Sequence, residues 1–191
     1  NVYAAERDES MLSFAVLAGA VRGQLDAATI PCCDLILLAI YPGGSAAWLE
    51  ENAHLVSRDA LVIDCCGVKR EICRRCFPLA EQYGFTFVGG HPMAGSERTG
   101  YINSKALLLE NAYYILTPCK EVPSDTVEAF RNLIASLGAI PLVLDCKQHD
   151  FVTAAISHLP HVVAASLVNL IKDSDSSEGT MKMIAAGGFK D

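Results

Sequence analysis

The residues best suited to carry out chemistry form one short segment, Gly90-His91-Pro92-Met93-Ala94-Gly95-Ser96-Glu97. This segment follows an apolar run typical of a buried strand, so His91 is expected at the carboxyl edge of a sheet. A histidine can accept a hydroxyl proton near neutral pH while a hydride leaves the same carbon. We therefore predict that His91 is a catalytic base. The alternative is a histidine that serves only the structure of its loop.

Two predicted strand-to-helix turns reach the same edge of the sheet, Ile40-Tyr41-Pro42 after one apolar run and Cys65-Cys66-Gly67 after the next. Ligands of parallel sheets bind in the crevice outside the carboxyl ends of the strands, where a glycine lets the backbone approach a flat ring closely. We interpret Ile40, Tyr41, Pro42 and Gly67, together with Pro92 and Met93, as binding a nicotinamide cofactor. The alternative for Gly67 is a plain turn glycine.

The first predicted strand ends in Glu6-Arg7. An acidic side chain at this place accepts hydrogen bonds from the adenosine ribose hydroxyls and repels a 2'-phosphate, so Glu6 favours NAD over NADP, although Arg7 could offset that preference. The pair could instead be ordinary capping of the helix that follows. The sequence contains no Gly-x-Gly-x-x-Gly segment, so we expect the phosphate-binding turn to precede Asn1.

Further histidines lie in His149-Asp150 and in Ser157-His158-Leu159-Pro160-His161. On a helix, His158 and His161 share one flank, where they could donate hydrogen bonds to carboxylates or bind a metal ion. No third ligand stands at a supporting spacing, so no metal site is predicted. Burial in a core or an interface is the other interpretation.

Short apolar runs alternate with helical patterns through the first 145 residues. The predicted strands are Val2 to Ala5, Asp34 to Ile40, Ala60 to Asp64, Phe85 to Gly89, Ala112 to Leu116 and Ile140 to Leu144. The predicted helices are Glu9 to Ala20, Ser45 to Ala53, Lys69 to Tyr83 and Ser124 to Leu137. This alternation predicts an α/β fold with a Rossmann-like, mostly parallel sheet whose strands are buried on both faces.

After Leu144 the sequence turns helical to about Asp173, with a predicted kink at Pro160. The run from Phe151 to Ile171 is long enough for a membrane span, but its polar residues would be costly in hydrocarbon, so we predict a buried helix. Further helices or a second subunit would have to cover it. We therefore divide the chain into a nucleotide-binding domain, 1–145, and a connecting helix with the start of a helical dimerisation and substrate domain, 146–191.

Charge and composition limit the classes of partner that the chain is expected to bind. The net charge is −7 and no run of Lys or Arg occurs, so the chain lacks the electrostatic footprint for nucleic acid or an anionic membrane. A chain that is 51% hydrophobic needs no disulfides to stabilise its core. We therefore interpret the eight cysteines as free thiols and predict a reducing, cytoplasmic location. The cysteines at 65, 66, 73 and 76 could suggest a soft-metal site, but we interpret them as small core residues.

Four segments together resemble motifs of the prephenate dehydrogenase family, which includes arogenate dehydrogenases, in the family's order and at about its spacing. They are Gly90 to Glu97, His149-Asp150, Ser157 to His161 and Gly187-Gly188-Phe189-Lys190-Asp191. The resemblance covers Val2 to Asp191. It implies oxidative decarboxylation of prephenate to 4-hydroxyphenylpyruvate in tyrosine biosynthesis, with NAD or NADP accepting the hydride in a cytoplasmic homodimer.

The same resemblance implies roles for individual residues. His91 would polarise the ring hydroxyl, and Glu6 would hold the ribose. Substrate would be bound by Ser96, Glu97, His149, Ser157, His158, His161 and Asp191. The chain departs from the family at Gly67, where many relatives have a serine beside the catalytic histidine. Alternatives are arogenate or a 3-hydroxyacid as substrate, or a fragment that only dimerises or binds.

Overall fold

The computed structural model describes residues 1–95 and 100–185. The chain divides into two compact units, Asn1–His149 and Asp150–Asp191. The predicted residues Ser96, Glu97 and Asp191 lie outside the described residues. A helix that begins at Cys146 runs through the division between the units, so the domain boundary predicted after residue 145 stays a prediction.

Strands and helices alternate in the first unit. Its strands are β1 (Tyr3–Ala4), β2 (Gly23–Gln24), β3 (Leu35–Leu38), β4 (Leu61–Asp64), β5 (Thr86–Pro92), β6 (Tyr113–Pro118) and β7 (Ile140–Val143). Its helices are α1 (Glu9–Leu17), α2 (Pro42–Asn52), α3 (Arg70–Tyr83) and α4 (Ser124–Ser136), and short 3-10 turns lie at Ile30–Cys32, Ala53–Leu55 and Tyr101–Asn103. The last helices in the described residues are α5 (Cys146–Thr153), α6 (Leu159–Ser174) and α7 (Thr180–Ile184).

Five strands form the main sheet, in the order β3-β4-β5-β6-β7. Neighbouring strands run parallel except β5 and β6, which are antiparallel. Helices connect the parallel neighbours, as expected when a strand returns to the same end of a sheet. The predicted mostly parallel, Rossmann-like α/β fold is confirmed.

Two strand predictions need correction. The run from Val2 to Ala5 does form a strand, but β1 pairs only with β2 in a separate two-stranded sheet. The two residues of β2 are too few to give a pattern that sequence analysis could find. The expectation that every strand is buried on both faces is wrong for β7, whose Ile140, Leu142 and Val143 are exposed. The reason is that β7 is an edge strand with β6 as its one neighbour in the sheet.

The hydrophobic core forms two clusters. One cluster joins β3, β4 and β5 to α2 and α3, and the other packs α4 against residues of β4, β5 and β6. Helix α3 contributes a buried stripe at Ile72, Cys73, Cys76 and Ala80, which is the spacing of one helical face. The interpretation of Cys66, Cys73 and Cys76 as small core residues is confirmed, since all three are buried.

The long helix of the second unit is irregular where a kink was predicted. Between α5 and α6, residues Ala154–His158 form a π-helix, and Leu159 N–H donates to the carbonyl of Ala154. Pro160 lacks an N–H and its ring crowds the carbonyl four residues earlier, so the helix cannot continue its ordinary bonding through this point.

The span Cys146–Ser174 is long and apolar enough to cross a membrane, which by itself is weak evidence for a membrane protein. Within this single chain almost all described side chains of the helix are exposed, so its predicted burial by further helices or a second subunit stays a prediction. In the second unit, α7 is a helix of only five residues and offers α6 little surface to pack against.

Candidate active site

The candidate active site lies where three strands of the main sheet end. The turn after β4 is bonded to the end of β3, since Cys65 N–H donates to the carbonyl of Leu38 at 3.0 Å. The thiol of Cys66 lies 3.5 Å from the carbonyl oxygen of Ile40 in the next turn. A Cβ added to Gly67 would stand 3.7 Å from Nε2 of His91 on β5. The predicted residues Ile40, Gly67 and His91 therefore lie around one edge of the sheet.

His91 belongs to β5 and does not merely follow it. The strand predicted to end at Gly89 continues to Pro92, because its antiparallel partner β6 pairs His91 with Ile115 and Pro92 with Tyr114. Met93 N–H then donates to the carbonyl of Tyr113 at 2.8 Å. Pairing with β6 holds the backbone of His91 and of the residues before and after it. The imidazole is half-buried.

The imidazole of His91 is hydrogen-bonded to a second imidazole. Its Nδ1 lies 2.8 Å from Nε2 of His149, and the two rings meet edge to face with centroids 5.1 Å apart. His149 is fully buried. Its helix begins at Cys146, as the helical pattern after Leu144 predicted, and the Asp145 carboxylate caps the first turn by accepting hydrogen bonds from the N–H groups of Lys147 and Gln148.

A buried ion pair is hydrogen-bonded to the backbone next to these residues. Asp64 and Lys69 are both fully buried and form an ion pair. The Asp64 carboxylate also accepts hydrogen bonds from Cys66 N–H at 2.9 Å and from Gly90 N–H at 3.2 Å. Lys69 Nζ donates to the carbonyl of Gly90. Sequence analysis missed the pair because an Asp at a strand end and a Lys at a helix start are usually exposed residues.

The two glycines before His91 are required by close packing. A Cβ on Gly89 would overlap Thr117 Oγ1 and would lie 2.8 Å from Cys73 Sγ. A Cβ on Gly90 would lie 2.5 Å from the carbonyl oxygen of Asp64. Real Cβ atoms do not approach other heavy atoms this closely, so only glycine fits at either position without a shift of the backbone.

The thiols around the site are poor acids. Burial raises the pKa of Cys66 to about 11, although its hydrogen bond to Ser45 partly opposes that effect. Burial also raises the pKa of Cys65, whose Sγ lies 3.6 Å from the Tyr114 hydroxyl. These thiols stay protonated near neutral pH, so they are neither thiolate nucleophiles nor bases there.

The predicted ribose-binding residue Glu6 lies just after β1 and is exposed. Its Oε1 accepts hydrogen bonds from the N–H groups of Arg7 and Asp8 at 2.7 and 3.2 Å. The capping of α1 is performed by Asp8, whose carboxylate accepts from Ser10 N–H and Met11 N–H. In the turn that follows β3, Tyr41 is exposed and Pro42 begins α2.

The remaining predicted residues, Ser157, His158 and His161, belong to the second unit. His161 Nδ1 is 2.7 Å from the carbonyl oxygen of Ser157, one turn earlier in the helix, and His158 is exposed. Their predicted part in substrate binding stays a prediction. In residues 1–95 and 100–185, no group of three or more His, Cys, Asp or Glu side chains could hold a metal ion.

Comparison with known proteins gives the same family as the residues of the site. Residues 1–142 match the family model "Prephenate dehydrogenase, nucleotide-binding domain", and residues 145–191 match "Prephenate dehydrogenase, dimerization domain". The chain belongs to the prephenate dehydrogenase family. The predicted family resemblance is therefore confirmed over both parts of the sequence.

Curated members of the family are similar along most of this chain. The prephenate dehydrogenase of Bacillus subtilis is 36% identical over 172 residues, which are 90% of this chain and 44% of that protein. The prephenate dehydrogenase of Lactococcus lactis is 36% identical over 83% of this chain and 43% of its own length. The chain thus spans less than half the length of these relatives.

Solved structures of prephenate dehydrogenases have the same fold. Prephenate dehydrogenase from Aquifex aeolicus, in complex with hydroxyphenyl propionate and NAD+, matches with a TM-score of 0.86 and 28% identity over 97% of this chain and 65% of that chain. Synechocystis arogenate dehydrogenase matches with a TM-score of 0.79 and 28% identity over 96% of this chain and 66% of that one.

Proposed function

We propose that this chain carries the nucleotide-binding and catalytic part of an NAD-dependent prephenate dehydrogenase, which converts prephenate to 4-hydroxyphenylpyruvate. The observation that carries the proposal is the position of His91. Its Nε2 faces the Gly67 turn at the strand tips, while its Nδ1 is bonded to the buried His149. The NAD+ bound to the Aquifex aeolicus relative supports NAD as the cofactor.

The reaction removes three species from the substrate. A hydride leaves the carbon that bears the hydroxyl, the hydroxyl proton leaves its oxygen, and the carboxylate leaves the opposite side as carbon dioxide. NAD, when bound, accepts the hydride. His91 Nε2 accepts the hydroxyl proton and returns a proton to the phenol oxygen of the product. Because the ring becomes aromatic, orientation of the substrate is the main task of the protein.

The residues at the strand tips fit a flat nicotinamide ring. Gly67 brings backbone, rather than a side chain, next to His91 Nε2, and Ile40 and Tyr41 remain exposed at the neighbouring strand tip. Glu6 is exposed after β1, where its carboxylate can meet ribose hydroxyls. The proposed cofactor-binding residues are Glu6, Arg7, Ile40, Tyr41, Pro42, Gly67, Pro92 and Met93.

His149 acts on His91 in this proposal rather than on the substrate, because the side chain is fully buried and uses Nε2 for the bond to His91. Substrate binding falls to the other residues of the family motifs. The proposed substrate-binding residues are Ser96, Glu97, Ser157, His158, His161 and Asp191.

The active protein in this proposal is a cytoplasmic homodimer that binds small molecules and not nucleic acid or membranes. The match of residues 145–191 to a dimerization domain supports the dimer. The exposed apolar side chains of α6, which include Val163, Leu167 and Leu170, supply a surface that a partner subunit can cover.

Two measurements on the purified protein test the function. Calorimetry with NAD+ and with NADP+ should give saturable binding, tighter for NAD+. NADH formation at saturating NAD+ should be faster with prephenate than with arogenate. Faster turnover of arogenate would change the substrate and leave the dehydrogenase intact. Absence of nucleotide binding, with no oxidation of either substrate, would contradict the proposal.

A further inference from the structure

We propose that the buried Asp64–Lys69 pair is a positioning clamp that holds His91 and the Gly67 turn at their working separation. The catalytic consequence of the clamp rests on the proposed function of His91. The clamp itself is a statement about geometry, and it can be measured without any turnover.

Stability alone does not account for the pair. Both side chains are fully buried, and removing two charges from water costs more than their attraction commonly returns. Apolar residues of similar volume usually fill such a space as well or better. A charged pair at this position therefore points to a requirement for its directional hydrogen bonds.

Those hydrogen bonds end on backbone groups of Cys66 and Gly90, the residues immediately before Gly67 and His91. The Asp64 carboxylate accepts from Cys66 N–H, one residue before Gly67, and from Gly90 N–H, one residue before His91. Lys69 Nζ donates to the carbonyl of Gly90, so both polar groups of that residue are held. One ion pair thus joins the turn after β4 to the end of β5.

The glycines of β5 make room for this clamp. A Cβ on Gly89 would stand 3.3 Å from Cδ of Lys69, tighter than ordinary contact, in addition to its overlap with Thr117. A Cβ on Gly90 would meet the carbonyl oxygen of Asp64. The Gly-Gly sequence before His91 therefore allows β5 to lie directly against both members of the pair.

The decisive variant replaces the pair by apolar residues of similar volume, Asp64→Leu together with Lys69→Met. It removes both charges of the pair together with the hydrogen bonds described for the clamp. The matched control is Ile134→Ala, a core change on α4 that alters none of the hydrogen bonds described for the clamp. Hydrogen exchange of the Cys66 and Gly90 amides and the ring-nitrogen chemical shifts of His91, both by NMR, report the geometry. Steady-state kinetics with prephenate report the consequence.

We expect the double variant to fold and its two amides to exchange at least about tenfold faster than in the control, because a protected N–H has lost its acceptor. We expect turnover to fall by about tenfold or more, since small misplacement of a catalytic group is costly, while the dissociation constant for NAD+ changes little. Exchange, ring shifts and turnover per folded molecule that match the control would overturn the clamp.

If the double variant does not fold, Asp64→Glu and Lys69→Arg decide the matter, because they keep both charges but move the hydrogen-bonding atoms. Unchanged His91 ring shifts and turnover in both variants would then overturn the clamp. If the unmodified protein oxidises neither prephenate nor arogenate, the proposed function fails, and the amide exchange and ring shifts still decide the geometry.

Discussion

His91 and His149 share one hydrogen bond, so the proton on that bond decides which ring can act as a base. Nε2 of His91 accepts a substrate proton only in the tautomer whose Nδ1 carries the hydrogen, and that tautomer donates to Nε2 of His149. After proton transfer the same bond stabilises the charged imidazolium of His91. In the proposed mechanism His149 is thus a positioning residue for His91.

Replacement of His149 should impair turnover without loss of the base itself. We expect His149→Phe to lower kcat by roughly 10- to 100-fold, because the reactive tautomer is no longer fixed. The variant should also change the pH dependence of kcat, while the value of KM should change less. The exposed His54 offers a matched control as His54→Phe. A His149→Phe enzyme with unchanged kcat and pH profile would show that the second imidazole only fills space.

Gly67 is the position from which a side chain would reach His91. A Cβ there makes ordinary contact with Nε2 at 3.7 Å, and the backbone of Gly67 is not in the left-handed region, so other residues fit. We expect Gly67→Ser to raise turnover by about 2- to 10-fold through a hydrogen bond that orients the imidazole. Gly67→Ala supplies the same Cβ without the hydroxyl and is the control, because any effect that both variants share comes from the Cβ and not from the hydrogen bond. An equal effect of both variants would contradict this account.

The residue scale also sets the limit of sequence analysis. His91 could be predicted because the residues next to it in the sequence form a recognisable motif after a strand pattern. Its partner His149 lies 58 positions away, and nothing in the local sequence indicates that the two rings meet. The Asp64–Lys69 pair was missed for a different reason, since residue types that are usually exposed give no sign of burial.

At the scale of elements, helix and strand identities could be predicted from periodicity, whereas several ends could not. Gly89 and Gly90 predicted the end of a strand, but pairing with β6 carries β5 on to Pro92. Pairing is a property of two distant segments, so a single segment cannot indicate it. The start of α5 at Cys146 agrees with the helical pattern predicted after Leu144, and Asp145 supplies its cap.

The close approach of β4 and β5 gives a prediction for Gly90. Gly90→Ala would place a methyl group 2.5 Å from the Asp64 carbonyl oxygen and 2.7 Å from Ile63 Cγ2, so one strand must shift. We expect the free energy of unfolding, measured with urea, to fall by about 1–3 kcal/mol. Gly43→Ala adds a methyl group in helix α2 where nothing lies within 4 Å, and it should be neutral or slightly stabilising. Equal stability of the two variants would contradict the close approach.

At the scale of the whole molecule, the parallel sheet could be predicted, whereas the surface that covers the long helix could not. An apolar helical sequence signals that a surface will be covered, without signalling what covers it. The described residues leave α6 exposed, and the family match indicates a dimerization domain. Coverage by the second subunit of the proposed homodimer would account for both observations.

The stripe of Val163, Leu167 and Leu170 gives a direct test of that coverage, since these residues share one helical face. We expect the protein to sediment as a dimer and Leu167→Lys to shift it toward monomer, because a buried unpaired charge opposes association. Ala165→Lys adds the same charge on the opposite face and should leave the dimer intact. Dissociation by both variants, or by neither, would argue against this face as the interface.

The most direct test of the account is the replacement His91→Asn, assayed for NADH formation from prephenate and for NAD+ binding by calorimetry. Asparagine retains a polar group of similar reach but cannot take up a proton near neutral pH. The account predicts that kcat falls by about 10²- to 10⁴-fold while the dissociation constant for NAD+ stays nearly unchanged. Near-normal turnover by the His91→Asn enzyme would contradict the role of His91 as the base.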